Sequence, residues 1–511
     1  MKNKVHIILV ILILLLAAFL RLYMISSYME FLGDEGRDVL VAKDILSGHL
    51  TLLGPRSSAG DFYMGPFYYY LITPFLLLFN YDPVGPAVMV ALFGVATVLL
   101  VYMVGNKFFG RLAGLFAAAL YTVSPLVLAY SHSSWNPDIL PFFSLLLMYT
   151  VYSAAANSKS WKYFCLSGFL LGICLQLHYL SLFLAVIIAV YIFIIQWLKN
   201  KKIVFAPLFK KYLGIVLGAI ISLSPFFLFE LRHGFLNTRG IITFLFGNSV
   251  SYSTNTNFFT TVAQVFFRIF ARLVVDFPAP GKAIHFTLTQ LIIWGTLAML
   301  LAAGSIIVLI KQKKKFVSLL LGLWLFLSVL LFGVYKKEIY DYLFTFIFTL
   351  PFLLIGNFLS YVFYLSKKRR ALFMSLSLSM FSIIFAANLY DNPFRYGPNN
   401  QRDQAKGIAQ FVISKADNKP YNFALLSKGN SDYGYRYYME ILGHPPVVLE
   451  NLEKDPRRKS ATQQLLIVCE DILCNPIGNP LHDVAAFGRA EIAGVWDVSV
   501  VKVYKLVPYK E

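Results

Sequence analysis

The sequence predicts an α-helical membrane protein that crosses the bilayer many times and carries a small α/β domain at its C-terminal end. Of its 511 residues, 58% are hydrophobic and only 14% are charged, whereas soluble proteins have about 25% charged residues. Apolar runs of membrane-spanning length recur through residues 1–390, and the composition of residues 391–511 is that of a soluble domain. Lysines and arginines are concentrated in alternate connections between the runs, which is typical of a polytopic protein.

Eleven apolar runs are predicted to span the membrane, because a helix needs about 17–25 apolar residues to cross about 30 Å of hydrocarbon. The runs are 5–23, 84–104, 112–130, 139–156, 163–178, 180–198, 212–230, 286–310, 316–335, 342–364 and 371–388. The first run is long and is followed by no small-residue cleavage site, so we predict a retained helix instead of a signal peptide.

The charge distribution predicts the orientation of these spans. With the N-terminus in the cytoplasm, the cytoplasmic connections contain 19 Lys and Arg residues and no Asp or Glu, whereas the outer segment 24–83 contains seven acids and three bases. The positive-inside rule therefore predicts a cytoplasmic N-terminus and an extracytoplasmic domain 391–511, in a multi-pass protein of the cell membrane. The net charge of +19 reflects this topology and does not indicate a nucleic-acid partner.

Three outer segments have helical spacing. Within the first outer loop, Val39–Leu46 is predicted to be helical and to end at Gly48. The aromatic segment Tyr63–Phe79 is about one span long, but counting it as a span would invert every later loop. We therefore predict that it lies in the outer interface, where tyrosine is favoured. A third helix is predicted along the surface at Phe258–Val275.

The C-terminal segment is predicted to alternate helices and strands, which is typical of a small α/β domain. The predicted helices are Gln401–Ala416 and Asp432–Leu442, and the predicted strands are Asn422–Leu426, Pro446–Leu449, Gln464–Val468 and Val495–Lys505.

Four cysteines fall into two pairs. Cys469 and Cys474 lie on the oxidising side of the membrane, where they either form a disulfide or remain free. Further ligands for a zinc site are absent near them in the sequence. Cys165 and Cys174 lie in an apolar run and are interpreted as packing residues.

The sequence motifs exclude several kinds of catalytic site. The sequence contains no phosphate-binding glycine-rich loop, no His/Cys cluster with metal-ligand spacing and no G-x-S-x-G nucleophile turn. An enzyme that uses a cytosolic nucleotide is therefore disfavoured. The remaining candidates are carboxylates on the outer face, close to the lipid.

The stretch Phe31–Asp38 places three carboxylates and one arginine directly after the first span. Asp34 and Glu35 are candidate general bases, with a pKa raised by partial burial or lowered by Arg37. The alternative is a solvated loop whose acids mark the outer side. Asp138 is a further candidate on the same side, and its alternative role is that of an acid at the start of the fourth span.

Basic side chains on the outer face run against the positive-inside trend and are candidates for binding a lipid phosphate. Ordinary salt bridges are the alternative for each of them. The candidates are Arg37, Arg56, Arg268, Arg272, Lys336 and Lys337, with Tyr340 in the same turn as the two lysines. His178, at the end of the fifth span, is interpreted as a packed and hydrogen-bonded residue.

The chain resembles the GT-C superfamily of membrane glycosyltransferases, in the branch of protein O-mannosyltransferases and lipid A aminoarabinose transferases (glycosyltransferase family 39-like). The resemblance begins with Asp34-Glu35 after the first helix. It continues through KDILSGHLTLLGP (43–55), MGPFYYYLITPFLLLF (64–79) and GNKFFGRLAGLFAAALYTVSPLVLAYSHSSWNPD (105–138). It covers residues 5–200 well, 200–390 through topology, and hardly extends into the last 120.

The resemblance implies a GT-C transmembrane domain over 1–390 and an inverting transfer of one sugar. The implied donor is a polyprenyl-phosphate sugar, and the acceptor is a hydroxyl of a lipid, glycan or protein. By residue matching, Asp34 would deprotonate the acceptor with support from Glu35, and Asp138 would orient the acceptor. A divalent cation, used by some members of the superfamily, would bind Asp34 and Asp138.

One position departs from the family pattern. The aminoarabinose transferases have a basic residue before the proline of the aromatic segment, whereas this chain has Gly65 before Pro66. The phosphate contact is therefore expected elsewhere, at Arg56, Lys336 or Lys337.

Two further functions are compatible with the sequence. A lipid or glycan transporter would carry ionisable groups near the bilayer midplane, and the predicted spans have almost none. A non-catalytic membrane scaffold for the C-terminal domain would not need the acidic pair.

Overall fold

The computed structural model describes residues 3–57, 60–156, 160–202, 204–246, 257–278, 286–335, 337–451, 453–471 and 474–509. The helices are α1 (Asn3–Leu22), α2 (Ile25–Tyr28), α3 (Gly33–Leu46), α4 (Phe67–Leu78), α5 (Val84–Phe109), α6 (Arg111–Val123), α7 (Pro125–Tyr130), α8 (Leu140–Ala155), α9 (Lys162–Leu177), α10 (Leu182–Asn200), α11 (Phe205–Ser222), α12 (Ser224–Arg232), α13 (Leu236–Phe246), α14 (Phe258–Val274), α15 (Leu288–Lys311), α16 (Lys315–Phe332), α17 (Thr349–Phe363), α18 (Arg370–Tyr390), α19 (Gln401–Lys415), α20 (Tyr433–Ile441) and α21 (His482–Ala485). The strands are β1 (Asn422–Leu426), β2 (Leu465–Cys469), β3 (Ala490–Val498) and β4 (Val501–Pro508).

Within the described ranges, eight helices are long and apolar enough to cross a membrane. They are α1, α5, α8 with the 3₁₀ turn Asn136–Ile139 before it, α10 with the turn Tyr179–Ser181, α11, α15, α16 and α18. A ninth span is formed if the 3₁₀ helix Asp341–Ile347 and α17, which meet at a 60° bend, are counted together. The multi-helix architecture is as predicted.

The predicted number of eleven spans is not confirmed. The predicted span 112–130 is divided into α6 and α7 at Ser124, whose backbone is extended, because the following Pro125 has no amide to continue the helix. The predicted span 163–178 is α9, which has only 16 residues. Helices α6, α7 and α9 are each shorter than about 17 residues, the usual minimum for crossing the hydrocarbon layer.

Helix α3 begins earlier than predicted. The prediction of a helix from Val39 onward is wrong in its start, because α3 begins at Gly33 and includes the acidic pair Asp34 and Glu35 in its first turn. Carboxylates are favoured there by the partial positive charge of a helix N-terminus. The two candidate bases are therefore held on a helix, not on a loop.

The other two helices that were predicted for the outer side form close to their predicted positions in the sequence. Helix α4 lies within the predicted Tyr63–Phe79 and buries one face, including Tyr68 and Tyr69, against α3 and α5. Helix α14 matches the predicted Phe258–Val275 almost residue for residue. Its buried face packs against α15, α16 and α17, so α14 is integrated into the helix bundle.

The C-terminal domain is a four-stranded mixed sheet in the order β1-β2-β4-β3. Strands β1 and β2 are parallel, and the other neighbouring pairs are antiparallel. The predictions of α19, α20, β1 and β2 are confirmed. The predicted strand at Pro446–Leu449 is wrong, and the predicted strand at Val495–Lys505 is two strands, joined by a turn in which Ser499 has φ 54°.

The cysteines of this domain are paired. Cys469 and Cys474 form a disulfide that closes the segment after β2. Cys174 is buried and Cys165 is half-buried, and both are free thiols in the helix bundle, as interpreted from the sequence.

The domain packs directly on α3. One continuous hydrophobic core extends from the membrane helices through Phe31 to Tyr437 and Tyr438 of α20. Gly36 allows this approach, since a Cβ at that position would lie 2.3 Å from the backbone nitrogen of Gly434.

We therefore expect Gly36→Ala to loosen the contact between α3 and α20. The added methyl group has no space, and overpacking of this kind costs about 1–3 kcal/mol. The thermal unfolding midpoint of the detergent-solubilised protein is expected to fall by several degrees. Gly407→Ala is the matched control, because a Cβ there meets no atom within 4 Å. Equal midpoints for the two variants would contradict the expected effect.

Candidate functional site

Asp34 is the accessible carboxylate of the acidic cluster. It follows Gly33 in the first turn of α3, and its side chain is 53% exposed. Its Oδ1 accepts a hydrogen bond from Arg37 Nη1 at 2.7 Å. The carboxylate is therefore open to solvent and oriented from one side.

Glu35 points in the opposite direction and is 5% exposed. Its Oε2 accepts from the amide of Leu32 at 3.0 Å, and its Oε1 accepts from Ser133 Oγ at 3.0 Å. Burial raises the pKa of Glu35 to about 7, backbone hydrogen bonds oppose the rise, and the charges of Glu30 and Asp34 add to it. Glu35 thus fixes the start of α3 to the loop that precedes α8.

Asp38 is fully buried, one turn after Asp34. Its Oδ1 accepts from Arg37 Nε at 2.9 Å and from Arg37 Nη2 at 2.7 Å. Burial raises the pKa of Asp38 to about 7, although Arg37 lowers it. The guanidinium of Arg37 therefore bridges two carboxylates, and its predicted contact with a phosphate stays a prediction.

Asp138 lies in the 3₁₀ turn before α8. Both of its carboxylate oxygens are buried and have no hydrogen-bond partner among the described residues. The turn is anchored by Asn136, whose Nδ2 donates to the carbonyl of Leu177 at 2.5 Å. Since α8 begins two residues later, Asp138 is not its N-cap.

Tyr68 of α4 contacts the loop before α8. Its buried hydroxyl lies 3.0 Å from Ser134 Oγ. Burial raises the pKa of this hydroxyl, and the negative charges of Asp38, Asp138 and Glu35 add to the rise. The site is therefore built by α3, α4 and the loop before α8.

The resemblance implies that Asp34 and Asp138 would be the ligands of a divalent cation, where one is used. Over the ranges that the structure describes, no group of three or more His, Cys, Asp or Glu residues is arranged to hold a metal. The unpartnered oxygens of Asp138 could supply one ligand. They do not identify a complete site.

Two arginines of α14 converge on one carboxylate. Arg268 donates to Asp341 Oδ1 through Nη2 at 2.6 Å and to the carbonyl of Ile339 at 2.6 Å. Arg272 Nε lies 2.6 Å from Asp341 Oδ2 in an ion pair that lacks hydrogen-bond alignment. Two guanidiniums thus share one carboxylate and leave an excess of positive charge at this position.

Aromatic contacts join this cationic position to the acidic site. The rings of Trp135 and Tyr342 meet edge to face, with centroids 4.7 Å apart. His178 is buried beside Tyr342, and its Nδ1 accepts from the amide of Leu180, as interpreted from the sequence. The 3₁₀ turn that holds Asp138 and the 3₁₀ helix that holds Asp341 therefore lie in contact.

The remaining predicted cations differ in their surroundings. Arg56 is 61% exposed and pairs with Asp61. Lys336 lies outside the described residues, and Lys337 is half-buried in the loop that leads to Asp341. The hydroxyl of Tyr340 donates to Glu338 at 2.7 Å.

The position of Gly65, where the family pattern has a basic residue, is closely packed. A Cβ at Gly65 would lie 2.3 Å from Cγ of Gln176, so the position has no space for a basic side chain. Gln176 Oε1 also accepts from the amide of Phe67 at 3.3 Å. The space before Pro66 is therefore filled by a neutral side chain of α9.

Sequence reasoning missed three features of the site. It did not identify Tyr68 among the carboxylates, Ser133 as the partner of Glu35, or Asp341 as the partner of the two arginines. The available signal for Asp341 was an acid four residues after Lys337, in a turn that also carries Glu338. Tyr68 stands among other tyrosines and gave no signal.

A family model described as dolichyl-phosphate-mannose-protein mannosyltransferase matches residues 64–230. The matched range includes Tyr68, Ser133 and Asp138, and it begins after α3. No curated protein sequence matches the chain.

Solved structures match the chain over nearly its full length. The apo crystal structure of ArnT from Cupriavidus metallidurans has a TM-score of 0.61 at 14% identity, over 99% of this chain and 98% of that chain. ArnT bound to undecaprenyl phosphate has a TM-score of 0.61 at 12% identity, with coverages of 99% and 98%. The oligosaccharyltransferase of Archaeoglobus fulgidus, tethered with an acceptor peptide containing the NVT sequon, has a TM-score of 0.52 at 15% identity, with coverages of 91% and 69%. These similarities establish a shared fold.

Because the pKa of Glu35 is raised, the stability of the protein is predicted to depend on pH. The folded state favours the protonated acid, so the stability that this preference contributes is present below pH 4.5 and is lost as the pH rises through about 7. The full loss is about 3 kcal/mol, since one pKa unit corresponds to about 1.4 kcal/mol. We expect the unfolding midpoint of the native protein to fall between pH 5 and pH 8, and that of Glu35→Gln to fall less.

The glutamine can keep both contacts, because its Oε1 accepts from Leu32 and its Nε2 donates to Ser133 Oγ. Asp44→Asn, at an exposed site in the last turn of α3, is the control and should keep the native pH dependence. The prediction is wrong if Glu35→Gln and the native protein lose the same stability over this range.

Proposed function

We propose that this chain, which has the GT-C fold, is a membrane glycosyltransferase that moves one sugar from a polyprenyl-phosphate donor to an acceptor hydroxyl at the outer face. The observation that carries the proposal is an exposed and oriented carboxylate, Asp34, in a chain where Arg268 and Arg272 share the single carboxylate of Asp341. A base and a phosphate-binding cation are the two groups that such a transfer requires. ArnT, which has the same fold, was solved with undecaprenyl phosphate bound, and this supports the donor class.

We assign the general base to Asp34. It is the exposed carboxylate of the cluster at the start of α3, whereas Glu35 and Asp38 are buried and hydrogen-bonded. Asp34 would take the proton of the acceptor hydroxyl as the acceptor oxygen attacks the anomeric carbon. The bond from that carbon to the phosphate oxygen breaks, and polyprenyl phosphate leaves with the electron pair. Attack opposite the leaving group inverts the anomeric configuration.

Arg268 and Arg272 are proposed to bind the donor phosphate. Guanidinium groups bind phosphate through paired N–H donors and stabilise the charge that develops on the leaving oxygen. Asp341 holds both arginines in position and neutralises about one of their two charges. In this chain the two arginines would bind the phosphate in place of a basic residue at Gly65.

The other acids would act through position. Arg37, fixed by Asp38, orients Asp34, and Glu35 fixes the start of α3. Asp138 is proposed to orient the acceptor hydroxyl, since its oxygens lack a partner among the described residues. If the enzyme uses a divalent cation, Asp34 and Asp138 would be its ligands, and the proton transfer to Asp34 does not require it.

We propose that residues 1–390 form the transferase domain, with the catalytic loop 24–83 and the domain 391–511 outside the cytoplasm. The charge distribution supports this orientation, because the lysine-rich connections then lie inside. The sugar and the class of acceptor, whether lipid, glycan or protein, are open to the assay below.

Asp34→Asn is expected to reduce sugar transfer at least 100-fold, because general base catalysis contributes about 10²–10⁴. The measurement is the transfer of labelled sugar from polyprenyl-phosphate donors to endogenous acceptors in membranes that contain equal amounts of each variant. Asp44→Asn removes an exposed acid from the same helix and should keep native activity. Full activity in Asp34→Asn would disprove its role, and movement of the lipid across vesicles without chemical turnover would favour a transporter.

Arg272→Ala is expected to lower kcat/KM for the donor by at least about tenfold, since a hydrogen bond to a charged group contributes about 1.5–3 kcal/mol. Arg56→Ala, which removes an exposed arginine paired with Asp61, is the control and should stay within twofold of native. The same membrane assay measures both variants at a series of donor concentrations. A large loss in Arg56→Ala with native behaviour in Arg272→Ala would move the phosphate site to Arg56.

A further inference from the structure

We infer that Asn430 of the C-terminal domain is a positioning residue for the catalytic helix, so that the domain completes the active site. The inference rests on the proposed function of Asp34. Asn430 does not touch the reacting atoms in this arrangement. It acts through the first turn of α3.

The N-terminus of α3 is capped by a distant part of the chain. The first amides of a helix have no partner within the helix, and a side chain just before the helix usually accepts from them. That position holds Leu32, which has no acceptor. The amide of Gly33 instead donates to Asn430 Oδ1 at 2.8 Å, across 397 positions of sequence.

Asn430 is itself held rigidly by the sheet of its domain. Its Nδ2 donates to Glu470 Oε1 at 2.9 Å, and the hydroxyl of Tyr435 donates to the same oxygen at 2.7 Å. Glu470 directly follows β2, and its amide donates to the carbonyl of Leu426 in β1 at 3.0 Å. A short chain of hydrogen bonds thus connects the sheet to the first turn of α3.

Neighbouring contacts also fix the position of α3 against α20. A Cβ at Gly33 would lie 1.8 Å from Ser431 Oγ, so the backbone of α3 touches the residue after Asn430. Phe31 packs against the rings of Tyr437 and Tyr438, with centroids 6.2 and 5.4 Å away. At the other end of α3, Lys43 pairs with Glu440 at 2.8 Å. The helix is seated along α20 at both ends.

Asp34 directly follows the capped residue. If the cap is lost, the first turn can fray, and Asp34 loses its fixed direction relative to the donor. Misplacement of a reacting group by about 1 Å costs about 10²-fold in rate. A residue that only stabilised the fold would instead lower the amount of folded enzyme and leave kcat of the folded fraction unchanged.

The experiment compares four variants of the full chain in membranes and in detergent. Asn430→Ala removes the cap. Asn430→Asp keeps an oxygen that accepts from the amide of Gly33, but the new carboxylate lies next to the carboxylate of Glu470, which repels it. The double variant Asn430→Asp with Glu470→Gln restores the hydrogen-bond chain, because the introduced glutamine amide can donate to the introduced carboxylate. Lys428→Ala, at an exposed position two residues earlier, is the control.

We expect Asn430→Ala to lower kcat about tenfold or more, with KM for the donor within about twofold. Backbone hydrogen exchange should rise at Gly33–Gly36 and stay native at α5. The double variant should recover kcat to within about threefold and restore slow exchange, and Lys428→Ala should match the native protein. Native kcat and native exchange in Asn430→Ala, or no recovery in the double variant, would overturn the inference.

The exchange measurement separates this inference from the proposed function, because it needs no substrate. If Asp34→Asn is fully active while Asn430→Ala frees the first turn, the role of Asp34 fails and the cap stands. If Asp34→Asn is inactive while Asn430→Ala leaves exchange and kcat unchanged, the role of Asn430 fails and the base stands.

Discussion

The contact between α3 and α20 is the constraint on which the acidic site depends. Helix α3 has 14 residues and a mixture of polar and apolar side chains, and isolated helices of about 12–15 residues are marginal in water. Its stability must therefore come from packing against α4 on one side and α20 on the other. Gly33 and Gly36 make the second contact possible, because a side chain at either position would collide with α20 or the loop before it. The direction of Asp34 follows from how this helix is held.

Charge neutralisation then distinguishes the acids of α3 from one another. Arg37 supplies three N–H groups to two carboxylates, two of them to the buried Asp38 and one to the exposed Asp34. The buried acid needs this partner, since an isolated buried charge is costly. Asp38 thereby fixes the guanidinium, and the guanidinium orients Asp34. An acid that is accessible and also oriented is better suited to proton transfer than one that is mobile or buried.

The sequence predicted the membrane helices better than the site, for a physical reason. Apolar runs are a local property, so most spans and the outer helix α14 could be read directly, whereas the break at Ser124 and the early start of α3 depended on single residues. Asp34 and Glu35 became candidates together because they follow the first span, and the family resemblance then singled out Asp34. The burial of Glu35 and Asp38, and their contacts with Ser133 and Arg37, depend on tertiary packing. The cap by Asn430 joins residues 397 positions apart, and no local pattern encodes it.

The same packing decides where a phosphate can bind. Lys43 is paired with Glu440, Arg56 with Asp61, and Arg402 with Asp82, so each of these cations meets at least one carboxylate. Arg268 and Arg272 share one. The binding free energy of an anion is most favourable where positive charge exceeds negative charge and the guanidiniums are already oriented. With Gln176 filling the space at Gly65, the excess charge on α14 supports the proposed position of the donor phosphate.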